Sequence, residues 1–91
     1  MMTITIFIKN TETTVDLLVK VWDVNDSTGI PQSFPIKAGK YQQMDVLKKA
    51  SDGTSSIRWL SYAAGHDPGQ GGPTAVTDGG TYPVTAGPVS K

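Results

Sequence analysis

Apolar residues recur at every second position along most of this chain, the spacing of extended strands with one buried face. Residues Thr3 to Lys9 are the clearest case, with Ile4, Ile6 and Ile8 on one parity and Thr3, Thr5, Phe7 and Lys9 on the other. Asp16 to Asp26, DLLVKVWDVND, is the longest apolar-rich run. Val15, Leu17, Val19 and Val21 line one face of it, and Asp16, Leu18, Lys20, Trp22 and Val24 the other. The second face is only partly polar, which predicts a central strand with Trp22 either under a loop or presented for contact. The polar stretch Asn10 to Thr13 predicts a turn that returns the second strand beside the first as an antiparallel hairpin.

Asn25 to Gly29 is a turn cluster. Ile30 to Lys37 follows with Ile30, Phe34 and Ile36 in alternation, and Pro31 and Pro35 assign it to a sheet edge or a crossing between sheets, because proline donates nothing to a ladder. Residues 41–49 are ambiguous. As a strand they divide untidily into Gln42, Met44 and Val46 against Tyr41, Gln43, Asp45 and Leu47; as a short helix they place Tyr41, Met44, Leu47 and Ala50 three apart. Strands predicted on both sides favour the strand. Ser51 to Thr54 turns the chain, and Ser56 to Ala64 reads as a strand with bulk on both faces, so periodicity does not say whether Trp59 or Leu60 with Tyr62 points inward.

Composition shifts at Gly65, since seven of the ten glycines and four of the six prolines fall in the last 27 residues. Pro73 to Thr77 and Gly80 to Thr85 flank Asp78-Gly79, a tight-turn dipeptide, and predict a second hairpin. Residues 65–72 are then an irregular glycine-rich loop and 86–91 a flexible tail. Turn clusters at this spacing predict an all-β fold, a small antiparallel β-sandwich of about six to seven short strands forming a single domain over residues 1–91.

Charge and chemistry narrow the function by exclusion. Eight basic and eight acidic side chains balance, which gives no overall field to draw nucleic acid. Lys37, Lys40, Lys48 and Lys49 fit the use of lysine to protect sheet edges. With no cysteine there is no disulfide, and a single histidine cannot build a structural zinc site. No stretch has the length of a membrane span, and the start MMTITIFIKN lacks the pattern of a secretory signal, so a cytoplasmic product is the default, with secretion by a non-classical route left open.

His66 beside Asp67 is the one place for acid–base chemistry. Neighbours in extended backbone point apart and no third partner is identifiable, so no catalytic set is expected and the chain reads as non-enzymatic. Asp23 to Gly29 offers oxygen ligands at alternate positions, as a calcium loop does, but Thr28 stands where an EF-hand needs glycine and Phe34 where it needs an acid. A looser calcium site is the only cofactor the sequence leaves open.

Trp22, Trp59, Tyr41, Tyr62 and Tyr82 are many large rings beside two phenylalanines. Flat rings next to hydrogen-bonding side chains suit sugars, whose C–H faces stack while polar groups hold the hydroxyls. The leading expectation is a lectin-like carbohydrate-binding module using Trp22, Asp23, Asn25, Asp26, Arg58, Trp59, His66 and Asp67, with a glycan as partner. The plainer explanation of both tryptophans is burial. The second reading is a structural protein forming a homo-oligomer or virion-type contact through its sheet edges, and the third a membrane-active sandwich.

Overall fold

The computed structural model describes residues 3–48 and 54–90. Among them lie seven strands and no helix: β1 (Thr3–Asn10), β2 (Leu17–Asp23), β3 (Gln32–Ile36), β4 (Tyr41–Leu47), β5 (Ser55–Tyr62), β6 (Gly69–Val76) and β7 (Thr81–Val84). A three-stranded sheet in the order β4-β1-β7 packs on a four-stranded sheet in the order β3-β2-β5-β6. This is the all-β sandwich that the alternating pattern predicts, and residues 41–47 form a strand. The predicted strand extended to 49, but residues 49–53 lie outside the described residues.

The core is what the two parities supply. Ile4, Ile6, Ile8, Met44, Val46 and Val84 face inward from the first sheet, and Leu17, Val19, Val21, Ile36, Ile57 and Val76 from the second. Burying a side chain of this kind contributes roughly 1.5–3 kcal/mol. The untidy division of β4 resolves once Met44 and Val46 are seen to carry its whole buried face.

Neither predicted hairpin forms. β1 and β2 lie on opposite sheets, so that their apolar faces meet across the core instead of sharing one side of it. Asn10 directs the crossing: its side chain is fully buried, its Nδ2 donates to the carbonyls of Val15 and Ile36 at 2.8 and 2.9 Å, and its Oδ1 accepts from the Glu12 amide. β6 and β7 are likewise split between sheets. The turn at 77–80, closed by the Gly80 amide donating to Thr77 O, has positive φ at Gly79 only, whereas two-residue hairpins require it at the first or at both central positions. The turn docks on β1 instead, where the Thr5 amide donates to Asp78 Oδ1 and the Gly79 amide to Thr5 O. Leaving that turn, β7 runs parallel to β1, the one departure from antiparallel pairing between the strands described.

The glycine-rich segment is shorter as a loop than its composition predicts. β6 begins at Gly69 because that sequence lets a strand lie very close to β5: a Cβ at Gly69 would come within 2.6 Å of Ser61 Oγ. Residues 86–90 do not form a free tail either. The Asp67 amide donates to Pro88 O and the Ser90 amide to Gly65 O, which holds this segment against the 63–68 turn, and the Ala86 amide donates to Glu12 Oε2 in the β1–β2 connection.

Candidate functional site

β2 and β5 lie side by side at the centre of the four-stranded sheet, and their outward parity carries the site. Trp22 is paired with Arg58, Lys20 with Leu60 and Leu18 with Tyr62. The Arg58 guanidinium lies 5.3 Å from the Trp22 ring centroid, and the Lys20 ammonium 5.8 Å from that of Tyr62. Both fall within the range at which a cation is attracted to an aromatic face. Leu18 is 46% exposed and Tyr62 37%, so the face is open as well as ring-bearing.

The partner strand on the other side of β5 breaks its register here. Ile57 is paired with Thr74 but Trp59 with Gly71, so Gly72 and Pro73 together oppose Arg58. A bulge of this kind bends its strand and locally increases twist. Gly72 has φ of 90°, and a Cβ there would meet the Ile57 carbonyl oxygen, so only glycine fits. At Gly71 the missing side chain leaves room for the edge of the Trp59 indole, whose Nε1, Cε2 and Cζ2 lie against it.

The result is a cleft of about 520 Å³ lined by Trp22, Arg58, Trp59, Leu60, Gln70, Gly71 and Gly72. Both tryptophans are half-buried, Trp59 being packed in part against the core. No buried polar side-chain atom among the described residues lacks a hydrogen-bond partner, while neither indole N–H makes a hydrogen bond within the protein. Both are therefore reached by solvent.

Three of the eight residues singled out from sequence, Trp22, Arg58 and Trp59, meet at this cleft. The acidic turn does other work. Asp23 accepts from the Asn25 amide through Oδ1 and from the Leu47 amide through Oδ2 at 2.7 Å, while Asn25 Nδ2 donates to the carbonyls of Leu47 and Thr54. These two side chains fasten the end of β2 to the end of β4 across the sandwich. Asp26 accepts from the amide and the hydroxyl of Thr28, and these bonds, the amide's first, hold its carboxyl below the usual range. The turn borders a smaller gap of about 290 Å³ that also touches Asp45, but among the described residues no three acidic or imidazole groups are gathered to hold a metal ion.

His66 and Asp67 lie beyond Tyr62, at the opposite end of β5 from the Asp23 turn. His66 Nδ1 donates to Gly87 O at 2.9 Å, and Asp67 Oδ1 accepts from Ser90 Oγ. The two side chains serve the 86–90 segment and do not address each other. Lys20, Leu60, Tyr62, Gln70, Gly71 and Gly72 were not among the sequence candidates. The signal that could have found the last two is Gly-Gly-Pro within a strand, which marks a bulge or a close backbone approach.

No protein-family model, curated protein or solved structure matches the chain.

Proposed function

We propose that this protein is a non-catalytic binding module that takes a saccharide in the cleft between Trp22, Arg58 and Gln70. The observation that supports this most directly is the meeting, in one cleft, of two solvent-reached indoles with an arginine and a glutamine whose side chains make no hydrogen bond inside the protein. Saccharides are bound where a flat apolar surface accepts their C–H faces and directional polar groups fix their orientation. Leu60 and the ring edges supply the first requirement, Arg58 and Gln70 the second.

Tryptophan emission during titration with a glycan panel tests the reading, because both reporters line the cleft. The expected result is an emission change that saturates for at least one glycan, with Trp22→Ala weakening binding about tenfold or more, the equivalent of roughly 1.4 kcal/mol. Absence of binding to every glycan at high protein concentration, with emission unmoved, would overturn the proposal.

A further inference from the structure

We infer that the saccharide taken by this cleft is an acidic one, carrying a carboxylate or sulfate that Arg58 receives. This rests on the carbohydrate reading above and adds the ligand's charge. Neutral sugars present hydroxyls that donate as well as accept, so a site for them mixes acceptors with donors. Among the described residues the side chains here are weighted heavily to donors: the Arg58 guanidinium and two indole N–H groups, with only the Gln70 amide offering both functions. None of the described lining residues is acidic.

The surrounding charge points the same way. Outward positions of β2 and β5 carry Lys20 and Arg58 and no carboxylate. Asp23, next to Trp22 in the chain, directs its carboxylate to the amides of Asn25 and Leu47. Arg58 is exposed, its partner is the Trp22 ring, and it makes no ion pair with a described acid. The Arg58 N–H groups make no hydrogen bond within the protein, so the guanidinium is free to donate to a carboxylate or sulfate. Lys20 stands two residues along β2 from Trp22, about 7 Å away along the strand, and offers a second positive charge to the next unit of a chain-like anion.

Calorimetric titration with an oligosaccharide containing uronic acid, its carboxyl-reduced neutral counterpart and a sulfated counterpart tests this. The acidic forms should bind at least tenfold tighter than the neutral one, Arg58→Ala should abolish that preference, and added salt should reduce it. Gln70→Glu, which places a carboxylate at the cleft, should weaken the acidic forms more than the neutral one. Both substitutions are at exposed positions, and circular dichroism verifies that each variant is folded. Equal affinity for acidic and neutral forms overturns this inference while leaving the saccharide reading intact. Binding to neither form overturns the saccharide reading itself. Phosphatidylserine vesicles and a short single-stranded DNA serve as further probes, and retention by either of these alone overturns the inference as well.

Discussion

Asn10 ties three backbone segments together through one side chain. It is fully buried and bonds the backbone of three segments, at Glu12, Val15 and Ile36, so replacing it leaves two carbonyls and an amide to find new partners. Asn10→Ala should cost about 2–4 kcal/mol, since each buried group left without a partner costs roughly 1–3 kcal/mol. Urea unfolding measures this, and a midpoint unchanged from the parent protein would refute the role. Asp26 shows the opposite case, an exposed group tuned by its own turn. Its carboxyl titrates below the ordinary 3.8 because Thr28 bonds the charged form. The associated stabilisation is complete above the ordinary value and is lost as pH falls through the lower folded one. Thr28→Val removes the hydroxyl donor and should move the Asp26 titration upward in an NMR pH series; an unmoved titration would show that the amide alone sets it.

Alternation of side chains is a local property, and the sequence shows it strand by strand. β1 and β2 are read correctly down to the buried parity, and β4 is recovered through Met44 and Val46. What alternation does not carry is which sheet a strand joins. That was decided by Asn10, which in sequence is one polar residue in a turn, and by the sign of φ at Asp78 and Gly79, which the dipeptide does not display. The cleft divides in the same way. Its aromatic and cationic residues stand out by type, but Gln70 and Gly71 enter only through the shifted pairing of β6 on β5, and the acidic turn misleads because its oxygens are already bonded to backbone. Gly71 therefore makes a direct test at the level of the strand. A Cβ there would fall 2.6 Å from Trp59 Cε2, so Gly71→Ala should displace the ring, shift its emission and destabilise by about 1–3 kcal/mol, the usual cost of overpacking. Unaltered emission would mean that the indole is not seated on that glycine.

Over the whole molecule, side chains close both margins where the two sheets meet. On one, Asp23, Asn25 and Gln32 bond the backbone of β4 at Asp45 and Leu47. On the other, the buried Ser61 hydroxyl donates to Thr85 O at 2.6 Å. Open strand edges are templates for pairing with other chains, and the first set of side chains occupies part of the β4 edge. Asp23→Ala combined with Asn25→Ala should therefore promote concentration-dependent association in sedimentation velocity runs. A variant that sediments like its parent at every concentration would show that these bonds only fasten the sheets and do not guard the edge.

The parallel placement of β7 on β1 also decides how the molecule answers tension. Pulling before Thr3 and after Val84 draws two neighbouring strands in opposite directions along their shared length, from Phe7 with Thr81 to Asn10 with Val84. The bonds between them are strained together in shear and must fail together. β2 and β3, joined as an antiparallel pair from Leu17 with Ile36 to Val21 with Gln32, would instead unzip one bond at a time if held at Asp16 and Lys37. Single-molecule extension should therefore record a higher rupture force from the first pair of attachment points than from the second, although the β1–β7 ladder is the shorter of the two.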